Sequence, residues 1–275
     1  MDWTIAMAVG QPRSVIHWPL NPELKNPAKI RGGNPILFPF VARTFDKGEI
    51  GFWRTPDGER HPMPMHGFAR DGRFTLACAD DTGFTAMLEP STAAREAYPF
   101  DYQFSVTYVF SELSFWVHLE LTNHSAMPIP WCAGHHFYFR LPWHASLKRA
   151  DYLLRIPARK AFRHTADGRL EPEKNFSPEC TFADPGIVDL LRCKLKSNLI
   201  TFGPKSEEEN ITIRHGADPV PAPWATVVTW TEKDDSPFYC VEPWMGLPNA
   251  PELEKGLHWV APGQSEKFSV EVSLM

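Results

Sequence analysis

Clustered positive charge is missing from this sequence: its 28 lysines and arginines are scattered among 33 acidic side chains, for a formal charge of −5 over 275 residues. A phosphate-backbone binder normally needs a basic cluster, so nucleic acid is excluded as an electrostatically selected partner. Cysteine is sparse too. Cys78, Cys132, Cys180, Cys193 and Cys240 are odd in number and widely separated. They show none of the short spacings of a zinc ribbon or a redox dithiol, so reduced, mostly buried thiols are expected. No apolar run reaches the roughly 18 residues of a membrane-spanning helix, which predicts no membrane partner. Met1 to Val9 carries no basic leader and too short an apolar stretch for a secretory signal. Cytoplasmic residence is the resulting default.

Proline, by contrast, is abundant, with 27 residues spread along the whole chain. Each interior proline removes a backbone donor and costs a helix about 3 kcal/mol, so long helices are excluded and strands joined by shaped loops are favoured. Proline and glycine together still make up only about 16% of the chain, below the roughly 25–30% that marks disorder. Residues 1–275 are expected to form a single domain.

Strand signals dominate wherever the period can be counted. Leu113, Phe115, Val117, Leu119 and Leu121 are all apolar with Ser114, His118 and Glu120 between them, and Phe104, Val106, Tyr108 and Phe110 follow the same period just upstream. With Ser111-Glu112 between them the two segments predict an antiparallel hairpin. Phe268, Val270, Val272 and Leu274 predict a further strand after the Pro262-Gly263 turn. Weaker strand candidates are Arg73 to Cys78, Phe84 to Leu88, Phe137 to Leu141, Tyr152 to Ile156, Ala225 to Trp230 and Phe238 to Glu242. One short helix is predicted, Thr92 to Ala97, ended by Tyr98-Pro99. The segments Ser206 to Asn210 and His215 to Pro223 read as surface excursions. Many short strands with punctuated turns imply an all-β sandwich or barrel, with function on a concave face or on loops.

Three segments set titratable residues among apolar ones. His66 and Arg70 lie in Met63-Pro64-Met65-His66-Gly67-Phe68-Ala69-Arg70, two histidines open Gly134-His135-His136-Phe137-Tyr138-Phe139, and Glu242 ends a strand before Pro243-Trp244. If Phe137 and Phe139 point into the core, His136 and Tyr138 share the opposite face while His135 points with the phenylalanines. Glu242 then shares a face with Cys240. Each of these residues also has a plain structural reading, as a satisfied core histidine or an ordinary strand-end acid. A zinc site built from His66, His135 and His136 is disfavoured, because adjacent strand residues face opposite ways and no His-Glu-x-x-His helix exists. No Gly-x-Ser-x-Gly elbow signals a serine nucleophile. A tryptophan-rich cleft suits a sugar, whose apolar ring faces pack on aromatics.

These segments, in order along most of the chain, resemble the aldose 1-epimerases (galactose mutarotases) and the related hexose-6-phosphate mutarotases. The resemblance runs through Gly32-Gly33-Asn34-Pro35-Ile36-Leu37-Phe38-Pro39, His66-Gly67-Phe68-Ala69-Arg70, Tyr98-Pro99-Phe100, Asn123-His124-Ser125, the His136 strand and Glu242-Pro243-Trp244. It implies a large antiparallel β-sandwich with an open cleft and a cofactor-free, metal-free exchange of α and β anomers. It also implies His136 as general acid toward the ring oxygen and Glu242 as base toward the anomeric hydroxyl. His66 and Arg70 match substrate-contacting residues, Arg43 and Asp189 match sugar-hydroxyl ligands more loosely, and Trp244 lies beside the base. Phe137 stands where the family usually has proline, which leaves both His135 and His136 as candidates for the acid.

Mutarotation chemistry suits such a pair: a proton leaves O1 and another reaches the ring oxygen as the ring opens, and after rotation about C1–C2 the ring recloses. One acid and one base suffice, each contributing about 10²–10⁴ in rate. The sequence thus points to an aldose 1-epimerase acting on a hexose. Its alternatives are a hexose-6-phosphate 1-epimerase and a non-catalytic carbohydrate-binding module on the same sandwich.

Overall fold

Alternation of apolar and polar residues carries most of the chain into strands, and these assemble into two large antiparallel sheets. The computed structural model describes residues 3–5, 12–206 and 208–275. The segment Met1 to Val9 lies largely outside the described residues, as does Glu207 of the acidic loop. Among the described residues no helix is long and apolar enough to cross a membrane.

The predicted hairpin forms from Tyr102–Phe110 and Ser114–Asn123, with Phe104 opposite Leu121 and Phe110 opposite Phe115. Phe115, Val117, Leu119 and Leu121 are buried, whereas Leu113 and Phe110, at the turn end, are exposed. The C-terminal strand Ser265–Leu274 pairs with the other edge of Ser114–Asn123. The three strongest signals in the sequence are therefore neighbours. Their sheet has nine strands in the order Glu179–Thr181, Tyr152–Arg155, Leu199–Pro204, Ile211–His215, Ser265–Leu274, Ser114–Asn123, Tyr102–Phe110, Gly83–Glu89 and Arg73–Asp80.

The second sheet has ten strands. Its main path runs Trp3–Ile5, Arg13–Ile16, Phe137–Arg140, Phe238–Trp244, Thr226–Trp230, Leu190–Leu195, Ala158–His164 and Leu170–Glu173, and Gly134–His135 and Ile36–Leu37 join beside Phe238–Trp244. All six weaker strand candidates are strands. Leu190–Leu195 escaped the period-two reading because it is buried along nearly its whole length, and a strand covered on both faces loses its alternation.

Aromatic contacts show which face of the ten-stranded sheet meets the other layer. Phe137 lies 6.1 Å from Phe115, Phe139 4.9 Å from Phe202, and Tyr239 4.8 Å from Phe182, ring centre to ring centre. These residues point into the shared core. By the two-residue period His136, Tyr138, Cys240 and Glu242 point to the opposite, outer face. The predicted helix spans Thr92–Ala97 as expected, its N-terminus capped by the Ser91 hydroxyl, which accepts from the Ala94 N–H at 3.2 Å. One expected surface segment differs at its start: His215 is buried, with Nε2 2.8 Å from the Trp244 carbonyl oxygen. It ends the strand Ile211–His215 and does not open a loop.

Candidate active site

Two strands far apart in sequence bring the principal residues side by side. Gly134 pairs with Trp244 and Phe137 with Val241, so in the same antiparallel register His136 stands directly across from Glu242. The neighbouring strand sets Val228 beside Glu242 and Trp230 beside Cys240, while Tyr138 flanks Cys240 on the other side. The outer face thus carries two rows, Tyr138–Cys240–Trp230 and His136–Glu242–Val228.

His136 sits at a break between two strand segments, and Asn34 of the Gly-Gly-Asn-Pro stretch holds that break. The His136 N–H donates to Asn34 Oδ1 at 3.1 Å and to the Pro35 carbonyl at 3.2 Å. Asn34 Nδ2 in turn donates to the Tyr108 hydroxyl at 2.9 Å and lies 3.1 Å from His135 Nδ1. His135 is fully buried between Phe137 and Phe268, and burial pushes its imidazole down to about 3. The alternation argument holds: His135 belongs to the core and His136 to the cavity.

That cavity has a volume of about 370 Å³. His136, Glu242, His66, Arg70, Arg43, Asp189 and Trp244 all line it, so of the residues singled out in the sequence only His135 stands apart, in the core. The His66-Gly67 turn is shaped by backbone constraint. His66 and Gly67 both have positive φ, 67° and 70°, and a Cβ on Gly67 would fall 1.9 Å from the Phe38 carbonyl oxygen. Only glycine lets that turn close against the Phe-Pro stretch. Nδ1 of His66 accepts from the Ala42 N–H at 3.1 Å, which leaves its proton on Nε2. Its ring lies 5.7 Å from His136 and 5.8 Å from Trp244. Burial, reinforced by His136, Arg70 and Arg43, keeps it neutral.

His136 Nε2 lies 3.3 Å from Glu242 Oε1, and Glu242 is only 2% exposed. The two groups do not face each other across a gap one pyranose wide. Cross-strand neighbours project in parallel, so the two heads touch and the remaining cavity opens above them. Burial raises the Glu242 carboxyl well above the ordinary range, aided by repulsion from Asp189 and opposed by the Trp244 indole. Burial also drops His136 to about 3, outweighing its backbone hydrogen bond and joined by Arg70 and Arg31. Desolvation disfavours the charged form of both groups and so favours a carboxylic acid beside a neutral imidazole.

Asp189, at φ 55°, is raised by burial against the opposing fields of Arg163 and Arg43. Arg70 is half-buried with an unpartnered Nε, whereas Arg43 is exposed at the rim. Sequence reasoning passed over Arg31, Arg163, His164 and Trp230 and set Tyr138 on the face of His136 without giving it a role; all five also line the cavity. Tyr138 was accessible as the i+2 neighbour of His136, on which its ring stacks at 4.8 Å. The others arrive by tertiary pairing. His66, His135 and His136 do not form a metal trio, because His135 faces the core. A different set does converge: His136, Cys240 and Glu242 each bring one ligand atom within 4.8 Å of the others.

The family model for aldose 1-epimerase matches residues 24–178, more than half of the chain. This chain belongs to the aldose 1-epimerase family. The matched stretch contains Asn34, His66, Arg70 and His136 and stops before Asp189 and Glu242. Among curated proteins, this family member is 26% identical over 257 residues to the chromosomal LacX protein of Lactococcus lactis subsp. lactis, covering 87% of this chain and 80% of that one. Among solved structures it superposes on the Slr1438 protein from Synechocystis sp. PCC 6803 with a TM-score of 0.76 at 22% identity, covering 96% and 85% of the two chains. A galactose mutarotase related enzyme from Lactobacillus acidophilus gives a TM-score of 0.76 at 20% identity, covering 100% and 97%. At these identities the structures share the fold.

Proposed function

We propose that this protein is an aldose 1-epimerase, an isomerase that exchanges the α and β anomers of a hexose with His136 and Glu242 as its acid–base pair. The observation that carries the reading is the 3.3 Å contact between His136 and Glu242 in a cavity that His66, Arg70, Arg43, Asp189 and Trp244 also line. O1 and the ring oxygen are both bonded to C1, so the groups that serve them need to be neighbours.

The pair holds one proton. Starting from acid and neutral imidazole, His136 takes the O1 proton while Glu242 protonates the ring oxygen, which leaves carboxylate and imidazolium beside the open-chain aldehyde. Reclosure on the other face returns both protons. The resemblance gives the two residues the opposite order, and because anomer exchange is its own reverse the same pair serves both directions. His66 and Arg70 are assigned to substrate hydroxyls with Arg43 and Asp189, and Trp244 to packing against the sugar ring. No metal or nicotinamide is needed for these steps.

A phosphorylated hexose is the second reading, favoured by one observation: Arg31, Arg43, Arg70 and Arg163 all line the cavity. Arg31 is engaged by Glu232 at 3.0 Å and Arg163 by the Val188 and Gly186 carbonyls, which leaves Arg43 and Arg70 as the phosphate ligands. The reading treats residues 1–275 as one domain, supported by the core that the two sheets share. A cytoplasmic setting is supported by five free cysteines. Polarimetry of freshly dissolved α-glucose and α-galactose, with exchange NMR of glucose-6-phosphate alongside, tests the assignment. Acceleration of one of these exchanges is expected. Saturable sugar binding without faster exchange across a wider panel would instead make the chain a carbohydrate-binding module.

A further inference from the structure

We propose that His136, Cys240 and Glu242 form a binding site for one thiophilic divalent cation of the zinc type. The three side chains offer an imidazole nitrogen, a thiol sulfur and a carboxylate oxygen, all within 4.8 Å of one another on the outer face of the ten-stranded sheet. Tetrahedral zinc, with bonds of about 2.0–2.2 Å to nitrogen and oxygen, sets those two ligands about 3.3 Å apart. His136 Nε2 and Glu242 Oε1 already stand 3.3 Å apart. Cys240, buried between Tyr138 and Trp230 on the same face, brings its sulfur within 4.8 Å of the ligand atoms of His136 and Glu242. Mixed nitrogen, sulfur and oxygen donors select zinc or cobalt over magnesium and calcium.

One further feature points to a ligand. His136 and Glu242 both line the cavity, and Glu242 Oε2 makes no hydrogen bond of ordinary length, the Trp244 indole being its only polar neighbour, so a metal held by the two would have a position open to the space where water or a sugar hydroxyl enters. Three protein ligands with one open position is the arrangement of an accessible zinc site. Binding releases the thiol and carboxyl protons to solvent, while the imidazole coordinates as the neutral base. The metal would take both members of the acid–base pair, so cation binding and anomer exchange exclude each other. That last consequence rests on the proposed function; the binding does not.

The test is titration of the protein with Co²⁺ and Zn²⁺. One equivalent should bind, with a thiolate-to-cobalt charge-transfer band that Zn²⁺ displaces. Cys240→Ser should abolish the band and weaken Zn²⁺ binding by at least roughly 10–100-fold, the cost typical of losing even an outer-shell partner. His136→Asn should weaken binding likewise, and Cys78→Ser, on an exposed strand, should leave it unchanged. X-ray absorption of the zinc-loaded wild type needs no variant and should report one sulfur with nitrogen and oxygen neighbours. Absence of stoichiometric binding, a metal shell without sulfur, or a Cys78-dependent band overturns the site. If the spectra hold and the protein shows no anomer exchange, the epimerase reading fails while the metal site stands. If exchange proceeds undiminished with the site filled, the mutual exclusion is wrong.

Discussion

Replacing His135 with phenylalanine isolates the energetic cost of the buried histidine behind the site. In the folded protein its imidazole is pushed from an ordinary 6.5 down to about 3 by burial, with His215 and His118 adding to the effect. As pH falls below 6.5 the unfolded chain takes up a proton at this position and the folded protein does not. Stability present above 6.5 is thus lost progressively until the folded group titrates near 3. The slope is one proton, or roughly 1.4 kcal/mol per pH unit. Over the whole window the loss is about 5 kcal/mol, against a total stability of about 5–15 kcal/mol for a typical domain. His136, at about 3, and His164, at about 4, act with the same sign, and the raised Glu242 opposes them. The wild-type slope is therefore a sum, and its difference from the variant's reports His135 alone. In His135→Phe the stacking surface against Phe137 and Phe268 is kept, and Asn34 retains its bond to Tyr108. Urea unfolding at steps between about pH 4 and 5.5, where the unfolded imidazole is protonated and the folded one is not, should give a variant whose acid slope is shallower by roughly 1.4 kcal/mol per pH unit. Equal slopes would refute the reasoning, because they would mean that His135 binds its proton equally well folded and unfolded.

Three shorter predictions follow from the site. Gly67→Ala sets a Cβ 1.9 Å from the Phe38 carbonyl oxygen at φ 70° and should cost at least about 2 kcal/mol in thermal or urea unfolding; an unchanged midpoint contradicts the turn geometry. Arg70→Ala removes a half-buried guanidinium whose Nε lacks a protein partner, so KM should rise roughly tenfold or more with a smaller change in kcat. A fall confined to kcat would move Arg70 from binding to chemistry. With Glu242 raised and His136 at about 3, the pair keeps its single proton across neutrality. The kcat/KM profile should be flat through about pH 6.5. It should fall in acid as His136 gains a proton and in base as Glu242 loses one, and an inflection at the ordinary imidazole value speaks against the neutral pair.

Most of what the sequence concealed lay in tertiary pairing. The hairpin of Tyr102–Phe110 with Ser114–Asn123 was legible because one face is buried and the other is not, which writes period two into the residues themselves. Leu190–Leu195 and Ala158–His164 were not legible, the first covered on both sides and the second charge-rich along its length. At the site the orientations of His135 and His136 followed from the phenylalanines around them, and Glu242 and Cys240 from their place on one strand. The contact between His136 and Glu242 did not follow, because register between strands about a hundred residues apart leaves no local mark. Arg31, Trp230 and His164 were missed for the same reason. Asn34 was quoted only as part of a motif, and its work as a clamp emerges once Tyr108, His135 and His136 are seen around it.

The central claim is that one proton, shared by His136 and Glu242, drives the exchange of anomers. Rates measured by exchange NMR on wild type, His136→Asn, Glu242→Gln and the double variant address it most directly. Each single variant should lose about 10²–10⁴ in kcat, and the double variant should lose no more than the worse single, because the two groups act as a unit. Single variants as fast as wild type, or losses that multiply in the double variant, would contradict the shared-proton pair.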